Sequence, residues 1–133
     1  MAVKVLIVDD DPVVRKLLSR LLEKRFGAEV REAADGYAGF MAAEADPPDF
    51  MLLDVSMPIV DGPELLEKLR AQERFARLPV MTISAAGERE IVMRMIGLGV
   101  IDYLRKPLNL GAVQKRLERV FAAAGLTIPE TMR

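Results

Sequence analysis

The stretch Val5-Leu-Ile-Val-Asp-Asp-Asp11 decides the fold of this chain. Its four apolar residues have the length and composition of a buried strand, and three acids follow directly. Asp11 is a favourable helix N-cap, and Pro12 after it suits the first helical turn. The stretch therefore predicts a strand that runs straight into a helix, which is the repeating unit of a parallel sheet.

Four more short apolar runs follow along the chain, and their starts lie roughly 20 to 30 residues apart. These intervals are too long for hairpins and long enough for a helix between successive strands. The sequence therefore predicts a doubly wound α/β domain with a parallel sheet. The predicted strands cover residues 5–8, 28–33, 50–53, 80–83 and 101–104.

The segments between the strands carry apolar residues at helical spacing, which predicts the side chains that face the sheet. This spacing places Val13 in the first helix, Ile96 in the fourth and Leu110 in the fifth on the inward faces. It places Arg15 on the solvent face of the first helix.

The composition limits the chemistry open to the chain. The chain has 133 residues, with 19 Lys and Arg against 20 Asp and Glu, and 51% of its residues are hydrophobic. We expect one domain over residues 1–125, followed by a C-terminal tail or truncated linker over 126–133. Because the chain contains no Cys and no His, disulfides, thiol nucleophiles and Cys/His zinc sites are excluded.

Charge and hydropathy also limit the expected partners and location. The formal charge of −1 argues against direct nucleic-acid binding, which usually requires a basic domain. No stretch approaches the roughly 18 apolar residues of a membrane span, and the first apolar run is too short for a signal peptide. We therefore expect a cytoplasmic protein without membrane contact.

Polar side chains follow four of the five predicted strands, where parallel α/β sheets bind their ligands. Asp9 and Asp10 follow the first strand, Asp54 the third, Ser84 the fourth, and Lys106 lies just after the fifth. Since adjacent strands are only about 4.8 Å apart, carboxylates at this edge would repel one another and need a cation. Oxygen ligands favour Mg²⁺, and such an ion with a Lys and a hydroxyl suits phosphoryl transfer to a nucleophilic Asp54.

Four motifs lie at the ends of the predicted strands, namely Val8-Asp9-Asp10, Leu52-Leu-Asp54-Val-Ser56-Met57-Pro58-Ile-Val-Asp61-Gly62, Ser84-Ala85 and Tyr103-Leu-Arg-Lys106-Pro107. Together they resemble the receiver domain of two-component response regulators, over residues 3 to about 124. The resemblance implies a flavodoxin-like domain with five helices and a five-stranded parallel sheet of order 2-1-3-4-5.

The resemblance also implies which residues act at the acidic edge. Asp54 would be the phosphoacceptor and a ligand of Mg²⁺, the implied cofactor. Asp10 would bind the ion directly and Asp9 mainly through water. The backbone carbonyl of Ser56 would complete the protein ligands.

A second group of residues would bind the phosphoryl group and signal its presence. Lys106 would contact a phosphoryl oxygen, and its bond to Pro107 would be cis. Ser84 would bond the phosphoryl group and draw in the next loop, where Ala85 is small enough to allow movement. Tyr103 would then turn inward, and the face formed by the fourth helix, fifth strand and fifth helix would carry the output and could form a dimer.

The implied function is phosphorelay signal transduction. The chain would receive its phosphoryl group from a histidine kinase or a histidine phosphotransfer protein. It would then change its affinity for a downstream target protein or for an effector domain outside this sequence. It would not be an enzyme in the ordinary sense, since it would catalyse only its own phosphorylation and dephosphorylation.

Three other functions use an acidic edge or a similar fold. A phosphatase of the haloacid-dehalogenase type needs a second acid two residues after its nucleophile, where this chain has Ser56. A flavin or nucleotide binder needs a Gly-rich or Ser/Thr-rich loop after the first strand, where three acids would repel phosphate. An interaction module that no longer uses phosphate stays open, although Asp54, Ser84 and Lys106 argue against it.

Overall fold

The computed structural model describes residues 2–132, which form five strands, five α-helices and two short 3₁₀ turns. Strands and helices alternate along the chain, as the spacing of the apolar runs predicts. In chain order the elements are β1 (Lys4–Val8), α1 (Pro12–Phe26), β2 (Glu29–Ala33), α2 (Gly36–Ala45), β3 (Phe50–Asp54), α3 (Gly62–Arg70), β4 (Val80–Ser84), α4 (Arg89–Gly97), β5 (Asp102–Arg105) and α5 (Leu110–Ala123), with 3₁₀ turns at Glu73–Phe75 and Glu130–Met132.

The strands within residues 2–132 form one parallel sheet of order β2-β1-β3-β4-β5, which confirms the predicted fold class and strand order. In the sheet register, Val8 of β1 lies opposite Leu53 of β3, and Asp54 lies opposite Ile83 of β4. The carboxyl ends of β1, β3 and β4 therefore meet at one edge of the sheet. We call this edge, with the loops that follow these strands, the acidic edge.

The central strands are buried on both faces, because helices cover each side of the sheet. On the side of α1 and α5, Phe121 contacts the rings of Phe26 and Phe50, with centroid separations of 4.9 Å and 5.7 Å. A second buried cluster fills the side of α2, α3 and α4 around Leu53 and Leu66. These two clusters fix the positions of the strand ends that carry the polar residues.

Side-chain caps define the starts of most helices. Asp11 Oδ1 accepts from Val13 N at 2.9 Å at the start of α1, and Asp61 with Glu64 forms a capping box at α3. Helix α4 lacks this support, because its N-cap residue Glu88 makes no capping bond within the described chain. Met95 is its only buried residue. The helix is therefore weakly held, which is typical of elements that move.

Three predicted inward positions are wrong. Val13 is 72% exposed, and Ile96 and Leu110 are each 46% exposed. The neighbours Val14 and Met95 take the inward positions, and one step along a helix turns a side chain by about 100°. Leu110 is the first residue of α5, where the helix begins at the edge of the sheet.

The segment after α5 packs against the domain. Leu126 N donates to Phe121 O at 2.8 Å, and Leu126 and Ile128 lie partly buried against the core on the α1 and α5 side. Pro129 covers Gly27 at the end of α1, where φ is 62° and an added Cβ would lie 2.8 Å from Pro129 Cγ. The predicted boundary between residues 125 and 126 stays a prediction. None of the helices over residues 2–132 combines the length and apolar character of a membrane span.

Candidate phosphoacceptor site

Three carboxylates meet at the acidic edge, as the strand ends predict. One oxygen from each of Asp9, Asp10 and Asp54 can be chosen so that all three lie within 4.8 Å of one another. Asp9 and Asp54 are buried, at 0% and 3% exposure, whereas Asp10 is exposed. The buried pair comes from adjacent strands, because β1 lies beside β3 in the sheet.

Backbone and side-chain contacts fix the loop that carries Asp9. Its Oδ1 accepts from Asp11 N at 2.8 Å, and its backbone N donates to Ala33 O at 3.1 Å. Arg15 donates from Nη1 to Asp9 O at 2.7 Å and pairs through Nε with Glu32 Oε1 at 3.1 Å. The expected solvent position of Arg15 is therefore wrong, because the Asp9 carbonyl in the loop before α1 and a carboxylate on β2 hold its guanidinium against the loop.

Lys106 supplies the positive charge of the site. Its Nζ lies 3.3 Å from Asp9 Oδ2 and 3.5 Å from Asp54 Oδ2, so one ammonium pairs with both buried carboxylates. The Lys106–Pro107 peptide is cis, as the resemblance implies. Lys106 reaches the acids from the loop after β5.

The electrostatics of the buried pair favour the neutral form of one acid. Burial raises the pKa of Asp54 to about 7, and the neighbouring Asp9 carboxylate adds to the effect while Lys106 opposes it. Burial likewise raises the pKa of Asp9. Burial alone would lower the pKa of Lys106, but the Asp54 and Asp9 carboxylates outweigh this and raise it. With both acids ionised, the carboxylates would carry more negative charge than Lys106 can balance.

The donor set fits a hard divalent cation. All candidate side-chain ligands are carboxylate oxygens, which Mg²⁺ prefers over nitrogen or sulfur. Asp9 Oδ2 is buried and has no hydrogen-bond partner among residues 2–132, although Lys106 Nζ faces it at 3.3 Å. A buried carboxylate oxygen without a hydrogen bond is costly unless a cation or water completes its contacts.

The loop after β3 lies directly against Asp54. Ser56 is exposed, and its backbone N–H favours the ionised Asp54 carboxylate and so moderates the rise of its pKa. Gly62 N donates to Val55 O at 3.1 Å, and a Cβ at Gly62 would lie 2.5 Å from Asp54 O. Glycine is therefore required for the chain to pass so close to Asp54.

The predicted switch residues lie at the end of β4, in the loop after it and on β5, and none of them hydrogen-bonds to the acids within residues 2–132. Ser84 is buried at the end of β4, where its Oγ donates to Leu104 O at 3.5 Å. Ala85 is exposed in the next loop. Tyr103 is half-buried on β5, and the guanidinium carbon of Arg116 lies 5.2 Å from its ring centroid. Tyr103 borders a groove of about 560 Å³ that is also lined by Ser84, Ala85, Val92, Met93 and Ile96.

Sequence reasoning missed three polar features around the site. Arg15 holds the Asp9 carbonyl, and Glu88 closes the loop after β4 by accepting from Ala85 N at 2.6 Å. Thr82 Oγ1 is buried without a hydrogen-bond partner in the described chain. Only Arg15 gave a signal in the sequence, a cation one helical turn after the acids. The Glu88 contact and the unpartnered Thr82 hydroxyl depend on the folded backbone.

The fold and the acidic edge define a receiver domain, and comparison with known proteins agrees. The family model of the response regulator receiver domain matches residues 5–118, and the chain belongs to that family.

The relatives differ in how much of their own length this chain covers. The DNA-binding dual master transcriptional regulator RpaA of Synechocystis is 38% identical over 119 residues, which are 90% of this chain and 48% of that protein. Chemotaxis protein CheY-3 of Vibrio cholerae is 32% identical, with 89% of this chain and 91% of that protein covered. The solved structure of Vibrio cholerae CheY4 has a TM-score of 0.82 and 31% identity, covering 90% of this chain and 99% of that one. The chain thus spans about half of one relative and nearly all of others.

Proposed function

We propose that this receiver takes a phosphoryl group onto Asp54 from a phosphohistidine donor, with Mg²⁺ as cofactor, and switches partner binding in response. The observation that carries the proposal is the meeting of Asp54 with Asp9, Asp10 and Lys106 at one strand edge. A single surface acid would be stabilised by water alone, whereas this set of residues combines a nucleophile, a cation site and a mobile positive charge.

The transfer moves one phosphoryl group between two side chains. An Asp54 carboxylate oxygen attacks phosphorus, the phosphorus–nitrogen bond of the donor breaks, and the electron pair leaves with the imidazole. Asp54 must be ionised to attack, and Lys106 at 3.5 Å favours that form. Bound Mg²⁺ would neutralise developing charge on the phosphoryl oxygens, with Asp9, Asp10, Asp54 and the Ser56 carbonyl as its protein ligands.

The chain acts on itself and is not an enzyme that turns over other substrates. Water attack on the phosphorus of phospho-Asp54 releases inorganic phosphate and restores the carboxylate. Lys106 is placed to contact a phosphoryl oxygen in both steps. The phosphorylated state therefore lasts until this hydrolysis occurs.

The response is proposed to travel through Ser84, Ala85 and Tyr103 to the face of α4, β5 and α5. Receiver domains interact with histidine kinases and effectors, and the proposed donor here is a histidine kinase or histidine phosphotransfer protein. The output is a downstream target or an effector domain, with dimerisation through the same face. The proposed setting is cytoplasmic, without direct contact to nucleic acid or membrane.

Intact-mass measurement after incubation with a small acyl phosphate tests the function. With Mg²⁺, wild type gains one phosphoryl group; with a chelator in place of Mg²⁺, the adduct falls to background. The variant Asp54→Asn gains none, whereas Asp11→Asn, a matched change at a cap that Asn can also fill, behaves like wild type. No adduct on wild type, or an equal adduct on Asp54→Asn, would overturn the proposal.

A further inference from the structure

The loop between β4 and α4 is closed by one charged contact. Glu88 Oε1 accepts a hydrogen bond from Ala85 N at 2.6 Å, and Gly87 between them has a φ of 85° that brings the chain back on itself. Glu88 is half-buried, whereas Ala85, Ala86 and Gly87 are exposed. The side chain of Glu88 therefore turns back toward the end of β4 and away from α4.

The backbone N–H of Ala85 has no hydrogen-bond partner in the described sheet. Val55 N donates to Ile83 O at 3.1 Å, and a continued parallel ladder would give Ala85 N to Val55 O. That carbonyl instead accepts from Gly62 N at 3.1 Å. Because Asp54 lies opposite Ile83, the Ala85 N–H lies at the same edge of the sheet as Asp54. The Glu88 carboxylate already accepts the hydrogen bond of this N–H.

This contact competes with a phosphoryl group on Asp54. The phosphoryl group adds a charge of about −1.5 to −2, with oxygens that accept strong hydrogen bonds from backbone N–H groups. Glu88 adds a further negative charge at the same edge. One N–H cannot serve both anions fully, and the two anions repel each other.

Resting on the proposed function, we propose that Glu88 is a positioning residue that holds the Ala85 amide until phosphorylation and is then displaced by the phosphoryl group. Displacement would act directly on α4, because Glu88 is the residue before Arg89, the first residue of that helix. Helix α4 buries only Met95 among the described residues, so little packing resists a shift of its first turn. The Glu88–Ala85 contact thereby sets how readily the Asp54 site passes from its free to its phosphorylated state.

Three variants separate this role from a general charge effect. Glu88→Ala removes the hydrogen bond and the charge, and Glu88→Gln keeps an acceptor oxygen without the charge. Glu90→Ala is the matched control, since Glu90 is an exposed acid in the same first turn and makes no hydrogen bond within residues 2–132. Circular dichroism establishes that each variant is folded.

The readout is the affinity for beryllofluoride with Mg²⁺, a phosphoryl mimic, followed by the amide signals of Asp54 and Ser84. We expect Glu88→Ala to bind at least about threefold more tightly than Glu90→Ala, because a larger share of molecules has the amide free. Glu88→Gln lies between them.

Two results would overturn the proposal and are distinguishable. If wild type binds the mimic but Glu88→Ala and Glu90→Ala bind equally, Glu88 has no positioning role and the proposed function stands. If wild type does not bind the mimic at all, the proposed function fails and the role of Glu88 fails with it.

Discussion

Removing the charge of Asp54 should stabilise the fold at alkaline pH. Burial raises the pKa of Asp54 from its ordinary 3.8 to about 7, with the Asp9 carboxylate adding to the rise. The folded state therefore binds a proton that the unfolded chain has released, and stability falls as pH rises from 3.8 through 7. The difference between these two pKa values lowers the unfolding free energy by about 4 kcal/mol once Asp54 is fully ionised, at 1.36 kcal/mol for each tenfold change in proton affinity.

The variant Asp54→Asn removes this cost together with the ion pair to Lys106. We expect a gain in unfolding free energy of about 2 to 4 kcal/mol at pH 8 and a much smaller gain at pH 5, where Asp54 keeps its proton. Urea unfolding followed by circular dichroism suits a chain without Trp. A gain of about 3 kcal/mol moves the urea midpoint up by about 1 to 3 M.

The control for this experiment is Asp11→Asn, which removes one charge from the same acidic run and keeps the cap of α1. It should change stability little at either pH. If Asp54→Asn is no more stable than Asp11→Asn at pH 8, or if its gain is equal at pH 5 and pH 8, burial does not set the pKa of Asp54.

Three further changes have definite expected outcomes. In the same urea assay, Mg²⁺ at ten times its Kd should raise the unfolding free energy of wild type by about 1.4 kcal/mol. The gain for Asp54→Asn should be clearly smaller, and equal gains would contradict the proposed ligands. Lys106→Met should lower the unfolding free energy more at pH 8 than at pH 5, by about 2 kcal/mol at pH 8, since two buried acids lose their counter-charge; equal losses would contradict this. Ile59→Gly should raise the unfolding free energy by about 1 kcal/mol, because Ile59 has a φ of 70° in a turn closed by the bond from Val60 N to Pro58 O at 2.8 Å. Ile59→Ala should leave the unfolding free energy unchanged. Because Ile59 is 94% exposed, equal gains from both variants would instead place the cost in its exposed side chain.

The sequence was sufficient to predict the sheet and the residues at its edge. Apolar runs of strand length followed by acids predict buried strands whose ends meet, so Asp9, Asp10 and Asp54 could be placed together from the sequence alone. Lys106 could be placed near them for the same reason. Periodicity failed near helix ends, where Val13, Ile96 and Leu110 are exposed although their spacing suits an inward face.

The missed contacts are those made between a side chain and the backbone of another turn or loop. Arg15 bonds the Asp9 carbonyl, and Glu88 bonds the Ala85 amide. Neither partner is a side chain, so spacing gives at most the weak signal of a cation one turn after the acids for Arg15 and none for Glu88. Such contacts depend on which backbone groups the sheet leaves without partners, and only the folded chain decides that.

Locating the phosphoryl group on the chain tests the central proposal most directly. Wild type is phosphorylated with a small acyl phosphate and Mg²⁺, reduced with borohydride, which converts an aspartyl phosphate to homoserine, and its peptides are then sequenced by mass spectrometry. We expect homoserine at position 54 and unchanged Asp at positions 9, 10 and 11. Homoserine at one of those three positions, with Asp54 intact, would contradict the assignment of Asp54 as the phosphoacceptor.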